Sequence, residues 1–169
     1  MSHAAITLRP ALASDSLGIA AMSRDYIEYG LAWRYDAARV RRLLVRRDVS
    51  LVAACDRSAL VGFAAMEFAD ERAHLVLMAV LPGHRRRGIG RHMLDWLLES
   101  ARVAGIESVH LELRAGNDAA RRFYRVQGFG ETILVPRYYG GTESALRMVR
   151  VLRPPLPANL AWQPPQHWA

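Results

Sequence analysis

Between Gly83 and Leu94 the chain reads GHRRRGIGRHML: three successive arginines, a fourth at Arg91, two glycines one residue apart at 88 and 90, and then a helix-like apolar run. A turn entering a helix points backbone N–H groups outward and carries about half a positive charge from the helix dipole, which suits phosphate. Gly88 and Gly90 let the backbone approach a ligand with no Cβ in the way. Spacing narrows the choice of ligand. GHRRRGIG satisfies G-x-x-x-x-G, but Ile89 and Gly90 stand where a nucleotide-binding P-loop needs Lys and Ser or Thr, so no group is left for magnesium. Met93 takes the place of the third glycine of the dinucleotide fingerprint, which disfavours a hydride-transfer enzyme. What remains, Arg85-x-x-Gly88-x-Gly90, suits a pyrophosphate with a further phosphate nearby.

A turn of this kind works only if a strand and a helix hold it. Residues 74–80, HLVLMAV, are almost continuously apolar and are expected to form a central strand buried on both faces. Residues 49–55 and 60–68 read as strands with short breaks, an antiparallel meander. After the turn, residues 88–104 read as a helix with Ile89, Met93, Trp96, Leu97 and Ala101 on one face, and a strand follows at 108–114. Strand, helix, strand with tight connections predicts that 74–80 and 108–114 run parallel. Asn117 then caps a helix reaching 127, and strands follow at 129–135 and 144–152. Upstream, a short strand is expected at 6–9 and a helix capped by Ser14 that runs to about residue 29. A second helix after Asp36 carries Val40, Leu43 and Leu44 on one stripe and Arg39, Arg41, Arg42, Arg46 and Arg47 elsewhere. The predicted class is therefore α/β: a mixed, mostly antiparallel sheet with one parallel strand pair and helices on both faces. Residues 1–152 are read as one domain and 153–169, which hold five of the eight prolines and two tryptophans, as a tail.

Composition sets the outer bounds. The chain has 169 residues, about half of them apolar, which is room for one domain with a real core. Its 23 Lys+Arg against 16 Asp+Glu leave a net charge of +7, which favours polyanionic partners such as a phosphorylated ligand, an acidic peptide or nucleic acid. Neither a signal-peptide pattern nor an apolar run of membrane-spanning length is present, so a soluble, cytoplasmic protein without a membrane partner is expected. The single cysteine, Cys55, excludes an intrachain disulfide framework and reads as a small core residue. The six histidines show no metal-ligand spacing, so no metal is expected.

Two longer runs carry a family resemblance. MAVLPGHRRRGIGRHMLDWLL resembles the acetyl-CoA-binding motif of the GCN5-related N-acetyltransferases, and LELRAGNDAARRFYRVQGF resembles their second signature, N-x-x-A-x-x-F-Y-x-x-x-G-F. The likeness covers about residues 60–152. Within the superfamily, LELRAGN followed by PRYYGGTESALRM is most similar to bacterial enzymes that acetylate the N-terminal alanine of a ribosomal protein. RDYIEYGLAWRYDAARV departs from the aromatic and proline segment that those enzymes carry after their first helix, which leaves the acceptor open. The resemblance implies acetyl-CoA as co-substrate, held in a sheet whose parallel strands splay apart. It implies that backbone groups of Met78, Ala79 and Val80 pair with the pantetheine arm. The amides of Arg86, Arg87, Gly88, Ile89, Gly90 and Arg91 would hold the pyrophosphate, with Arg85 opening the motif. Asn117 would touch the co-substrate, Glu112 would act as general base, and Tyr124 would attend the co-substrate's departing thiolate.

The residues themselves set limits on that chemistry. Alternation along 108–114 places Glu112 with His110 and Arg114 on one face. A phenol of pKa near 10 protonating a thiol of pKa near 8.5 works uphill by roughly 2 kcal/mol, so Tyr124 needs a lowered pKa or acts mainly as a hydrogen-bond donor. At pH 7 an α-amine is about 14% neutral and a lysine about 0.04%, a difference of roughly 3.5 kcal/mol that favours a peptide N-terminus as acceptor. The expected reaction is direct attack of a primary amine on the thioester, with a backbone N–H near Met78 polarising the carbonyl. Acetylation of a small amine or a lysine, or a nucleic-acid-binding module using both basic runs, are the alternatives. Residues 26–35 and 137–142 are expected to form an aromatic acceptor wall. Oligomeric state is left open, a homodimer included.

Overall fold

A computed structural model describes residues 5–153. Its strands are β1 (Ile6–Pro10), β2 (Val49–Asp56), β3 (Ala59–Phe68), β4 (Arg72–Val80), β5 (Ser108–Arg114), β6 (Gly130–Tyr139) and β7 (Glu143–Val151). They form one sheet in the order β1-β2-β3-β4-β5-β7-β6, antiparallel throughout except between β4 and β5. The parallel crossover is made by helix α3 (Ile89–Val103), as strand, helix, strand in one sheet requires. Helices α1 (Ser16–Met22) and α2 (Ala37–Leu44) bury Ile19, Met22, Val40 and Leu43 against Leu51, Phe63, Leu77 and Ala79 on one face. On the other face, α3 and α4 (Asp118–Val126) bury Met93, Leu94, Leu97 and Tyr124 against Val52, Ala64, Val109 and Leu111. Full burial of such side chains is worth ~1.5–3 kcal/mol each. That fixes strand register, since a slip of one residue would turn the whole apolar set to the wrong face.

β4 is irregular where the site lies. Ala65 pairs with Leu77 but Met66 pairs with Leu75, so Val76 is an extra residue on β4. The insertion inverts the alternation: Ala73 and Leu75 join the α3/α4 cluster, Leu77 and Ala79 the α1/α2 cluster. A bulge also bends its strand and increases its twist. Parallel pairing with β5 accordingly covers only Arg72↔Ser108, Ala73↔Val109 and His74↔His110, and ends just before Val76. Beyond His74 the two strands part in a V, leaving one edge of β4 without a strand partner.

Tertiary packing corrects several expectations. Residues 74–80 are not buried on both faces. Leu75, Leu77 and Ala79 are inside, whereas His74, Val76, Met78 and Val80 stay partly exposed because the strand borders the V. On α3, Trp96 is exposed, and Leu94 and Leu98 take the core positions beside Met93 and Leu97. The helix expected from Ser14 to about residue 29 is a 3₁₀ turn at Ala13–Asp15, then α1, then a π turn at Ser23–Ile27. Ser14 does not cap it. The turn is instead closed by Asp15, whose carboxylate accepts from the Leu12 N–H at 2.7 Å and from the Arg9 guanidinium at 2.7 and 2.9 Å. Asp36 and Asn117 do cap α2 and α4, accepting from the N–H of Arg39 at 2.8 Å and of Ala120 at 3.1 Å. β6 runs on to Tyr139, past the expected stop at 135. Cys55 is a buried residue of β2. Apart from Arg153, the proline- and tryptophan-rich tail lies outside the described residues. Among the described residues no helix is long and apolar enough to cross a membrane, and no His/Cys/Asp/Glu group is placed to hold a metal.

Candidate active site

The co-substrate side is built from backbone. The Leu81 N–H donates to Val61 O at 2.9 Å, so alternation in the antiparallel ladder turns Ala79 toward β3 and Met78 and Val80 toward the open V. Ala79, expected beside them as a ligand contact, lies in register with Phe63 and serves as their spacer. Val80 O faces the V and accepts from Arg85 Nε at 2.9 Å, while the Arg85 guanidinium lies 5.4 Å from the Tyr26 ring centroid. Arg85 thus braces the loop. Arg86 and Gly88 take left-handed conformations, φ 62° and 78°, and alternation of this kind gathers successive N–H groups into a concavity for an anion. His92 N–H returns to Gly88 O at 3.0 Å, whereas the N–H groups from Arg86 to Arg91 have no partner among the described residues. No acidic side chain lies in the first turn of α3 to neutralise them. A ligand with amide groups along one arm and a pyrophosphate at its end fits this edge and turn. Asn117 spends its Oδ1 on the α4 cap, which leaves its amide NH₂ for a ligand.

Proton-handling groups cluster at the apex of the V. Parallel pairing sets His74 beside His110, and cross-strand register sets Glu112 opposite Arg147 of β7. Glu112 Oε2 lies 2.5 Å from His74 Nε2, and Glu112 Oε1 accepts from Arg147 Nε at 3.1 Å. The His74 contact first, then Arg147, hold the Glu112 carboxyl below its ordinary pKa against its partial burial. The same contact raises His74 above the usual histidine value. His110 is held low by burial and by Arg72 and His74, and its Nε2 lies 2.9 Å from Ser108 Oγ.

Tyr124 belongs to the opposite face of the sheet. It is buried edge-on between Phe123 and Phe129, with ring centroids 5.1 and 5.6 Å away. Phe123, expected to be the core residue of the pair, is only partly buried and packs beside Gly90. Burial pushes the Tyr124 phenol well above its ordinary pKa, so it stays protonated. Of the two options left by the sequence, this direction favours the hydrogen-bond donor.

The facing side of the gap, where the sequence led us to expect the acceptor, is held by side chains. Arg114, two residues past Glu112 on the same face, donates to Tyr29 O at 2.6 Å and Ile27 O at 3.1 Å, and pairs with Glu143 at 2.6 Å. Its guanidinium stacks 4.1 Å from the Tyr29 ring centroid and 5.6 Å from that of Tyr139. One side chain therefore ties the loop after the π turn, and the β6–β7 hairpin, to the strand that carries Glu112. Behind the loop, buried Glu28 accepts from Ser23 Oγ at 3.0 Å, Arg34 N at 2.8 Å and Tyr35 N at 3.2 Å. Burial pushes the Tyr139 phenol up to about 12.

The structure thus brings Met78, Val80, the turn from Arg86 to Arg91, Glu112 and the aromatic segments around one gap. Sequence reasoning missed His74, Arg147, Arg114 and Glu28. The alternation of 108–114 marked Arg114 as facing with Glu112, but nothing local showed what it would reach. The basic run of residues 39–47 is partly neutralised, since Arg46 pairs with Asp48 and Glu67, while Arg39 stacks on Tyr35.

Residues 19–129 match the Acetyltransferase (GNAT) family. The [Ribosomal protein bS18]-alanine N-acetyltransferase of Escherichia coli is 33% identical over 84 residues, 50% of this chain and 57% of that enzyme. The N-alpha-acetyltransferase of Sulfurisphaera tokodaii is 35% identical over 83 residues, 48% of this chain and 50% of that protein. The chain therefore spans only about half the length of these curated relatives. Among solved structures, Ard1 from Thermoplasma volcanium superposes with a TM-score of 0.77 at 28% identity, covering 86% of this chain and 97% of that one. On the family match, the two motifs in order and the parted β4–β5 pair, the chain belongs to the GNAT acetyltransferase family.

Proposed function

We propose that this chain is an acetyl-CoA-dependent N-acetyltransferase acting on a primary amine, with the α-amine of a peptide or protein N-terminus as acceptor. The observation that carries the reading is the open β4 edge running directly into a turn of unpartnered amides, with an ionisable pair at its apex. Acetyl-CoA supplies an acyl group activated as a thioester. Met78 and Val80 bind its amide arm through their backbone groups, in the manner of an added strand. The N–H groups from Arg86 to Arg91 hold the pyrophosphate, and Asn117 contributes its amide. The Glu112–His74 pair draws the proton from the amine on one side of the sheet. Tyr124 donates a hydrogen bond toward the sulfur position from the other side. The V is where the two faces of the sheet communicate.

An N-terminal α-amine suits a base no stronger than this, because an appreciable fraction is already neutral near pH 7. Names of relatives point the same way: alanine N-acetyltransferase and N-alpha-acetyltransferase. Acetyl-CoA at about 100 times its dissociation constant is expected to stabilise the fold by roughly 2.7 kcal/mol, read as a thermal shift against buffer. No shift, together with DNA or RNA binding that weakens steeply with salt, would favour the nucleic-acid module instead. A panel of peptides with free N-termini, peptides with only lysine amines, and small amines, read by mass, identifies the acceptor. The chain itself contains no lysine, so side-chain self-acetylation does not complicate that reading. Tyr124→Phe is expected to lower kcat by about tenfold, the worth of one hydrogen bond to a developing charge, while leaving the acceptor KM in place.

A further inference from the structure

We propose that the proton leaving the acceptor amine is taken by Nδ1 of His74, and that Glu112 acts on it indirectly by orienting the ring and holding Nε2 protonated. The inference rests on the acetyltransferase reading above and reassigns the base expected at Glu112. It starts from which atoms are already engaged. Glu112 Oε2 faces His74 Nε2 at 2.5 Å and Oε1 accepts from Arg147 Nε at 3.1 Å, with the side chain 14% exposed. A carboxylate with both oxygens committed and little surface offers an incoming amine poor access. Both contacts also stabilise its charge, which weakens it as a base. His74 is the reverse: its side chain is 44% exposed, and only Nε2 has a partner among the described residues.

The tautomer follows from the contact. An ionised carboxylate can only accept, so Nε2 carries the hydrogen and the neutral ring keeps its lone pair on Nδ1. This is the division of labour of any carboxylate–histidine pair, in which the acid fixes ring and tautomer and the imidazole moves the proton. Position agrees with the role. His74 is the last β4 residue paired to β5, one residue before Leu75 and two before the Val76 bulge, so it stands where the V opens. Arg114, on the Glu112 face, holds the loop at Ile27 and Tyr29 to the same strand.

The groups that face His74 are Glu112 and His110 from β5, Arg147 from β7 and Glu67 from β3. Glu112 first and Glu67 next raise its pKa, against burial and Arg147. The step balances as a proton transfer. The amine enters neutral and attacks through its lone pair, and an N–H bond of the resulting positive nitrogen then breaks with its electron pair left on nitrogen. The proton bonds to Nδ1, giving an imidazolium whose Nε2–H stays on Glu112, and water removes it after product leaves.

The test uses the full chain, acetyl-CoA and a peptide with a free N-terminal alanine. For the wild type, log kcat/KM is expected to rise with pH at a slope of about two at the acid end, one ionisation from the amine and one from His74. His74→Gln is expected to lower the plateau at least ~10²-fold and to cut the slope to one. Glu112→Gln is expected to move the histidine limb to lower pH, because the group that raises it is gone. An NMR titration of the imidazole needs no acceptor and should give a His74 pKa above 6.5 in the wild type, falling in Glu112→Gln. The proposal is overturned if His74→Gln keeps the slope of two and a rate within a few-fold of wild type. It is equally overturned if the imidazole titration does not move when Glu112 is neutralised, and this arm decides the matter should His74→Gln not fold. If the wild type binds acetyl-CoA but acetylates no amine of the panel, the acetyltransferase reading fails, whereas the titration still tests the coupling of the pair.

Discussion

The two sides of this active site are assembled by different means. Along β4 and into α3, the groups offered to a ligand are main-chain N–H and C=O, aimed by a bulge at Val76 and by left-handed turns at Arg86 and Gly88. Across the gap, the acceptor loop and the β6–β7 hairpin hang on one arginine and one buried carboxylate: Arg114 joins Ile27, Tyr29 and Glu143, and Glu28 gathers Ser23, Arg34 and Tyr35. A backbone-built surface is insensitive to most side-chain changes but demands particular residues at its turns. One built on side chains is the opposite. It can be retuned by changing loop residues, yet a single cut releases all of it.

The sharpest way to break this contrast is Arg114→Met. It removes the donors of two backbone carbonyls and the partner of Glu143 together, so both acceptor segments lose their anchor. Misplacing an acceptor by about 1 Å costs roughly 10² in rate. We expect kcat/KM for the acceptor peptide to fall by about that factor while the thermal shift produced by acetyl-CoA is retained. Arg114→Lys keeps the charge without the planar fork and should recover only part of the loss. A parallel fall in acetyl-CoA affinity would show that the two sides are one mechanical unit, and the contrast would collapse.

Glycine positions sharpen the comparison from the other side, at smaller cost. Gly88 sits at φ 78°, where an L-residue costs ~1–2 kcal/mol. At Gly90 the backbone is helical, and an added Cβ would meet Phe123 at 3.6 Å, an ordinary contact. Gly88→Ala is therefore expected to lose about 1 kcal/mol in denaturant titrations and to weaken acetyl-CoA binding, since the amides of the turn are re-aimed. Gly90→Ala should lose no stability. Equal losses at the two sites would mean that conformation is not what the turn selects for.

The same division explains what could be read in advance. The β2–β3–β4 meander, the parallel crossover and the Gly88 turn were legible because each is encoded locally, in alternation, helix periodicity and glycine placement. Asn117 as a cap, and a helix start after Asp36, were legible for the same reason. The π turn at Ser23–Ile27 was not, because it is stabilised by Ser23 reaching Glu28 and by Glu28 reaching Arg34 and Tyr35, contacts that exist only once the loop has folded back. His74 was hidden inside an apolar run, and its partnership with Glu112 depends on a parallel register spanning 38 positions in sequence. Arg114 was visible on the right face, but its partners lie 29 to 87 residues away.

The smallest expected effect concerns the apex where the two sides meet. His74 is raised and Glu112 lowered in the folded chain, each chiefly by the other. For His74 the stabilisation is fully present below its ordinary value of 6.5 and is lost as pH rises through the raised folded value. For Glu112 it is present above its ordinary 4.5 and is lost as pH falls through the lowered folded value. Both contributions are in force between about pH 4.5 and 6.5, so the stability difference between wild type and His74→Gln should peak there and shrink on either side. Because the His74 side chain is partly exposed to solvent, that peak should stand only ~0.2–1 kcal/mol high and flatten as salt screens the pair. Denaturant titrations of the two proteins across pH 4 to 8 at low and high salt measure it. A difference that stays constant over the whole range would mean that His74 contributes packing alone, and that the apex carries no charge coupling for catalysis to use.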